Sequence, residues 1–222
     1  MDVPEAHHTS RDFDAEMRAV RQQFAAMAER CRNQVHLALD AFWTGSKEKM
    51  AEVEASDSAV DADEKSIDAL VLHVLALRQP VASDLRTLTA LFKLVTDVER
   101  VGDEAVDIAR GTASTSPEAE PIRVRLREMA DKSEKMFNSA VSSFLDGDAM
   151  AAEKVRRVNG VIDVLYHEIL GDAVALTSRH PTEMVSATAS VNVAKCLGRI
   201  SDHAKNIAEG TLFVVRGEAM PR

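Results

Sequence analysis

The fold is decided by the stretch Asp97–Ala109, which reads DVERVGDEAVDIA. Three of its carboxylates, Glu99, Asp103 and Asp107, are spaced four residues apart, and residues with that spacing are neighbours on one face of an α-helix. Apolar side chains fill most of the remaining circumference: Leu94, Val95, Val98, Val101, Ala105 and Ile108. The pattern predicts an amphipathic helix with an acidic row. Because like charges repel, an arginine, water or a bound cation must compensate that row.

The same stretch returns 99 residues later as CLGRISDHAKNIA, between Cys196 and Ala208. When the two copies are aligned, one arginine, one aspartate, one isoleucine and two alanines coincide. A glycine follows each copy after one residue, at Gly111 and Gly210. A repeat with a period close to half of the 222-residue chain indicates a duplicated structural unit.

The composition favours helices in that unit, because apolar residues make up 45% of the chain and aromatic residues only 4%. The net charge of −9 argues against nucleic acid as a partner, since such binding needs a basic surface. Cys31 and Cys196 lie far apart without a CxxC spacing, which indicates neither a disulfide framework nor a zinc knuckle. Both cysteines fit buried helix positions.

The N-terminus is polar and lacks the apolar segment of a signal peptide. No run of 18 apolar residues could span a membrane. We therefore expect a soluble, cytoplasmic protein.

Apolar residues recur every three or four positions along most of the chain, and this periodicity predicts helices. Six of them are expected, at about residues 10–44, 47–77, 85–110, 122–145, 149–177 and 182–216. Ser83 or Asp84 is the expected cap of the third helix. Pro80 and Pro181 break the two halves at equivalent places.

The predicted fold class is all-α, with six long antiparallel helices in two pseudo-symmetric three-helix bundles that arise from an internal duplication. We expect a flexible N-terminal arm at residues 1–10, a first bundle at 11–111, a linker at 112–121 and a second bundle at 122–222.

A second acidic stripe lies on the second predicted helix, at Asp57, Asp61 and Glu64. Helices that follow one another through a short connection usually pack side by side, so these side chains are expected to face the acidic row of the third helix. Grouped carboxylates raise one another's pKa or jointly hold a cation. Two interpretations stay open: a metal site, or a solvated acidic groove that docks a basic partner surface.

Three segments closely resemble the PhoU family of accessory regulators of bacterial phosphate transport. They are LALRQPVASDLR (75–86), DVERVGDEAVDIA (97–109) and ISDHAKNIAEGTLFVVRGE (200–218). HTSRDFDAEMRAVR (8–21) is also similar to the family's N-terminal entry. The resemblance covers nearly the whole chain. The run from Gln79 to Arg86, followed by the Glu99–Asp103 motif, is more specific than generic helix sequence.

The resemblance implies two three-helix bundles related by a pseudo-twofold axis. It also implies a cytoplasmic negative regulator of phosphate uptake and of the phosphate-starvation response. Its expected partners are the ATPase of the phosphate ABC transporter and the membrane-bound phosphate sensor histidine kinase, so it would be peripheral to the membrane only through them. Some members bind iron or zinc clusters through Glu/Asp-x-x-x-Asp motifs, which correspond here to Glu99, Asp103 and Asp107.

The second half departs from that pattern. Gly198 stands at the usual glutamate, and Asn206 stands where the first half has Asp107. The metal ligands that remain there are Asp202 and Asp163. Because cations of this kind prefer several oxygen ligands, we expect a weak or absent second site.

The alternatives are a generic helical adaptor or dimerisation protein, or a metal-binding protein unrelated to phosphate. An enzyme is not expected. Di-iron bundles carry Glu-x-x-His pairs on their core helices, whereas this sequence has only Glu5–His8, in the N-terminal arm. No Gly-x-x-x-x-Gly-Lys phosphate loop is present. A homodimer is a further expectation.

Overall fold

The computed structural model describes residues 7–219, and its regular structure within that range is helical. The six long helices are α1 (His7–Thr44), α2 (Lys47–Arg78), α3 (Ala82–Ala109), α4 (Glu120–Asp146), α5 (Ala149–Arg179) and α6 (Met184–Arg216). Short 3-10 turns at Pro117–Ala119 and Pro181–Glu183 precede α4 and α6. The prediction of an all-α fold with six long helices is confirmed.

Two boundaries differ from the sequence-based expectation. The first helix begins at His7, inside the predicted arm, and residues 1–6 of that arm lie outside the described residues. The third helix begins at Ala82, directly after Val81, whose side chain makes no capping hydrogen bond. The prediction that Ser83 or Asp84 caps this helix is therefore wrong: Val81 takes the capping position, Ala82 has a positive φ of 50°, and both predicted residues lie in the first turn.

Capping side chains fix the starts of α2 and α5 at the predicted positions. The Ser46 hydroxyl accepts a hydrogen bond from the backbone N–H of Lys49 (3.3 Å) at the start of α2. The Asp148 carboxylate accepts bonds from the backbone N–H groups of Met150 (2.9 Å) and Ala151 (3.0 Å) at the start of α5. Each side chain satisfies donors that have no partner within the helix.

The helices form two groups of three. Helices α1, α2 and α3 contact one another, as do α4, α5 and α6. The groups meet where α3 packs along α6, with a smaller contact between α1 and α4. One hydrophobic core runs through both groups, so the division of the chain into two domains stays a prediction.

Contacts between α3 and α6 run in opposite directions along the two helices. Arg86, near the start of α3, donates from Nε to the carbonyl oxygen of Val214 near the end of α6 (3.2 Å). Glu104, near the end of α3, accepts from Nη1 of Arg199, which lies farther toward the start of α6 (3.0 Å). The two repeated stretches are therefore antiparallel and meet at the centre of the molecule.

No helix within residues 7–219 combines the length and the apolar content that crossing a lipid bilayer requires.

The crossing of α3 and α6 depends on a glycine. A Cβ atom at Gly210 would lie 2.7 Å from Cδ1 and 3.2 Å from Cγ of Leu94, whose side chain is fully buried. Carbon atoms pack at about 3.5–4.0 Å, so any larger residue at position 210 would push the helices apart or distort the leucine.

We predict that Gly210→Ala lowers the free energy of unfolding by about 1–3 kcal/mol, because overpacking of a closed core costs that much. Gly171→Ala in α5 is the matched control, since nothing lies within 4 Å of the added methyl group. The control should gain about 0.5–1 kcal/mol from helix propensity alone. Urea titrations monitored by circular dichroism measure both. A Gly210→Ala protein as stable as the control would contradict the role of this close approach.

Candidate functional site

Five of the six carboxylates predicted in the first half share one face of α2 and α3. The nearest like charges around Asp57 are those of Asp103 and Asp61, and those around Glu99 are Asp103, Glu64 and Asp61. Helices α2 and α3 pack side by side, as the short connection between them predicted. We call Asp57, Asp61, Glu64, Glu99 and Asp103 the acidic face.

Burial and mutual repulsion raise carboxyl pKa values on this face. The pKa of Asp57 is raised by desolvation first and then by Asp103 and Asp61. The pKa of Glu99 is raised by desolvation and by Asp103, against the lowering influence of Arg100. Next to the face, the pKa of Asp68 is raised by burial and by Glu64. The charged forms of these groups are therefore disfavoured where they stand.

Arginine compensates the acidic face only in part. Arg100 donates from Nη1 to Asp103 (2.8 Å), and its Nε lies 3.4 Å from Oε2 of Glu99. That second contact is an ion pair without hydrogen-bond geometry, and Glu99 Oε2, which is closed to solvent, has no hydrogen-bond partner. Desolvation is the largest cause of the raised pKa of Glu99. The face sets five carboxylates against the charges of Arg100 and, at Asp57, of Arg110.

Asp107 lies at the edge of the acidic face. Its Oδ1 accepts from Nη1 of Arg110 (3.2 Å), and it lies beside Glu104 and Cys196. Eight residues of an α-helix rotate through about 80° beyond two full turns. That drift carries Asp107 away from the direction of Glu99 and toward α6. Its partner Arg110 also pairs with Glu54 of α2 and lowers the pKa of Asp57, so the expectation that Asp107 faces the stripe on α2 stays a prediction.

In the second half, Asp202 accepts a hydrogen bond from the Asn159 amide nitrogen (3.1 Å). Both Asp202 and Asp163 are exposed. An amide thus occupies the place that a carboxylate of α2 has in the first half, and it already provides a donor for Asp202. The weaker second metal site stays a prediction.

A different cluster lies where α3 crosses α6. Glu104, Asp107 and Cys196 each offer a ligand atom, and these atoms lie within 4.8 Å of one another. Within residues 11–219, no other group of three or more His, Cys, Asp or Glu side chains meets that distance. Burial first, and then Glu104, raises the pKa of the Cys196 thiol to about 12. We call these three residues the junction cluster.

Sequence reasoning did not identify Glu104 as a site residue. It is buried, with only 7% of its surface exposed, on the side of α3 that packs against α6. Its position directly before Ala105 and three residues after Val101 places a carboxylate inside an apolar stripe. That misplaced charge was the available signal, because carboxylates are almost never fully buried unless they are paired.

The chain is similar to known proteins over nearly its whole length. The family profile described as "PhoU domain" matches residues 24–112 and 126–211, one match in each repeat. A "Phosphate-specific transport system accessory protein PhoU homolog" from Pseudomonas putida is 34% identical over 213 residues, which cover 95% of this chain and 83% of that protein. The homolog of the same name from Pseudomonas aeruginosa is 33% identical, covering 95% and 88%.

Solved structures agree with these sequence matches. The crystal structure of PhoU from Pseudomonas aeruginosa superposes with a TM-score of 0.86 at 31% identity, over 92% of this chain and 99% of that protein. The phosphate transport system regulatory protein PhoU from Streptococcus pneumoniae gives 0.84 at 23% identity, over 95% and 99%, a likeness that bears on the fold alone. On the sequence matches to both repeats and to full-length relatives, the chain belongs to the PhoU family.

Proposed function

We propose that this protein is an accessory protein of a phosphate transport system and acts in the cytoplasm as a negative regulator of phosphate uptake and of the phosphate-starvation response. The observation that supports this most strongly is the match of both repeats to relatives named for that system, at up to 34% identity over 95% of the chain. The same relationship supports a role without catalysis, exerted through contacts with other proteins.

Its partners are the ATPase of the phosphate ABC transporter and the phosphate sensor histidine kinase, and the protein acts as a homodimer. The acidic face suits a docking role because it keeps negative charge that Arg100 does not balance. A basic partner surface would remove the repulsion between these carboxylates and gain affinity from it.

A bound transition metal, iron or zinc, is the second way to balance the acidic face. Its donor set is of the right chemical type: Glu99 offers an Oε2 that is closed to solvent and makes no hydrogen bond, and the neighbouring carboxylates raise the pKa of Asp57. No three of these five side chains bring ligand atoms within 4.8 Å of one another, so the carboxylates would have to converge on the ion. Carboxylate oxygens suit hard and borderline cations. Asp57, Asp61, Glu64, Glu99 and Asp103 would hold the ion, with Asp107 at the edge of the set. The metal would neutralise and rigidify the face.

We predict that Glu99→Ala/Asp103→Ala removes bound iron or zinc from protein purified without a tag, because it deletes two of the central ligands. Elemental analysis measures the metal content. Glu128→Ala/Asp131→Ala is the control: it removes the same charge from α4, where these carboxylates pair with Lys132 and Lys135. The control should keep the wild-type metal content. Equal metal in all three proteins would rule out the acidic face as the metal site.

The raised pKa of Glu99 gives a second test, in chelator-treated protein. A carboxyl whose pKa rises on folding costs stability above its folded pKa, and this cost disappears as the pH falls below the unfolded value. Glu99→Gln should therefore melt at a higher temperature than wild type near pH 7. The difference should shrink as the pH falls toward about 3, where Glu99 is mostly neutral in both the folded and the unfolded state. Added metal should reverse the order near pH 7, because the wild type binds it more tightly.

Thermal melts at both pH values, with and without metal, measure this effect. Glu128→Gln serves as the control and should show no such trend, since Glu128 is exposed on α4. A difference between Glu99→Gln and wild type that stays constant with pH would contradict the assigned repulsion.

For the docking role, we predict that the purified protein binds the purified transporter ATPase and the cytoplasmic part of the sensor kinase. Glu99→Lys/Asp103→Lys should weaken at least one of these interactions tenfold or more by isothermal titration calorimetry, since it reverses two central charges. Glu128→Lys/Asp131→Lys makes the same change on α4 and should bind normally. Failure of the wild type to bind either partner would favour a generic adaptor instead.

A further inference from the structure

The contact between α3 and α6 contains two polar clusters at equivalent positions of the two repeats. The junction cluster contains Glu104, Asp107 and Cys196. Each of these residues lies 99 positions from its equivalent in a counterpart cluster that is made of His203, Asn206 and Asp97. The antiparallel crossing of α3 and α6 thus presents the same three positions twice, with different chemistry.

The side chains of the counterpart cluster form hydrogen bonds with one another. Oδ1 of Asp97 accepts a hydrogen bond from the Asn206 amide nitrogen at 2.8 Å, and Nδ1 of His203 lies 2.9 Å from the same oxygen. One carboxylate therefore meets two side chains that can donate. Hydrogen bonds of this kind satisfy polar groups buried between two helices without any added ligand.

The polar groups of the junction cluster do not satisfy one another as fully. Oε1 of Glu104 accepts from Nη1 of Arg199 at 3.0 Å, and Oδ1 of Asp107 accepts from Nη1 of Arg110 at 3.2 Å. Glu104 is more than nine-tenths buried, and its Oε2 lacks a nitrogen or hydroxyl donor. The neighbouring thiol of Cys196 interacts with this carboxylate instead, which helps to raise the pKa of the thiol. A thiol is a weak hydrogen-bond donor, so a buried carboxylate oxygen whose neighbour is a thiol is poorly satisfied, and its persistence needs an explanation.

We propose that Glu104, Asp107 and Cys196 bind a single thiophilic divalent cation of the zinc type. The three ligand atoms already lie within 4.8 Å of one another. Zinc–sulfur bonds of about 2.3 Å and zinc–oxygen bonds of about 2.0–2.2 Å require a modest further approach, and the Cys196 thiol releases its proton to solvent as the metal binds. The exposed Asp107 side chain can supply that approach, and water can take the fourth position on its open side.

The surrounding arginines support this assignment. Each carboxylate uses one oxygen toward an arginine, Arg199 for Glu104 and Arg110 for Asp107, and this leaves the other oxygen for a metal. Partners of this kind orient metal-binding carboxylates in known sites. The thiol distinguishes the cluster from the carboxylates of the acidic face, because sulfur favours zinc or cobalt over magnesium, calcium or manganese.

A metal held here would connect α3 to α6 and so the two repeats to each other. Its ligands come from both repeated stretches, so binding would favour the observed crossing over any arrangement in which the bundles separate. This role does not depend on the proposed part in phosphate regulation.

Cobalt(II) provides the test, because a cobalt ion bound to a thiolate gives an intense charge-transfer absorption that carboxylate-bound cobalt lacks. The full-length protein, stripped of metal and fully reduced, is titrated with cobalt(II). We expect the band in the wild type, its loss in Cys196→Ala, and at least about tenfold weaker cobalt binding in Glu104→Gln. Zinc should abolish the band by competition.

Cys31→Ala is the matched control. Cys31 is also a buried thiol, with its pKa raised to about 12, and it lies near the charges of Asp63, Glu99 and Asp57. This variant should keep the band, and so should Glu99→Ala/Asp103→Ala, which separates this site from the acidic face. Far-ultraviolet circular dichroism verifies that each variant is folded.

Three results would overturn the assignment: no band in the folded wild type, an undiminished band in Cys196→Ala, or a band that depends on Cys31 alone. Unchanged metal content in Glu99→Ala/Asp103→Ala, together with an unchanged cobalt band, would count against the metal hypothesis for the acidic face only.

Discussion

The structure depends on the close antiparallel packing of α3 against α6. Leu94 packs so close to the backbone of Gly210 that a Cβ atom there would overlap it. The hydrophobic core continues through this contact from one group of helices to the other. Because the two helices carry the repeated stretch, the same contact brings the two copies of that stretch together.

On α3, two sides carry carboxylates in different surroundings. Toward α2, Glu99 and Asp103 share an acidic face that Arg100 balances only in part. Toward α6, Glu104 is buried and paired with Arg199. A charge on the first side is exposed to a partner or an ion arriving from solvent. A charge on the second side can act only on the junction of the bundles. One helix thus links a surface suited to recognition with the interior contact that sets the arrangement of the repeats.

Much of the fold followed from the sequence because apolar periodicity and proline breaks report directly on helices. The duplicated stretch likewise indicated two equivalent bundles. The starts of helices were less predictable. Helix α3 begins at Ala82, whose φ of 50° no sequence pattern indicated, and α1 extends back to His7 without an obvious signal. The meeting of α2 and α3 was expected from the short connection between them, and the structure brings Asp57 and Asp103 close enough to influence each other.

The site was less predictable because it depends on rotation around helices and on contacts between repeats. A spacing of four residues suggested that Asp107 continues the row of Glu99, but the accumulated rotation turns it toward α6. The pairing of Glu104 with Arg199 joins residues 95 positions apart, and no local pattern reports it.

The central claim is that carboxylates of α3 bind cations on two sides of the helix. Anomalous diffraction from crystals of the zinc-loaded protein tests it most directly. The account predicts one peak between α2 and α3 at Glu99 and Asp103, and a second between Glu104 and Cys196. Diffraction that shows zinc at neither position would contradict it.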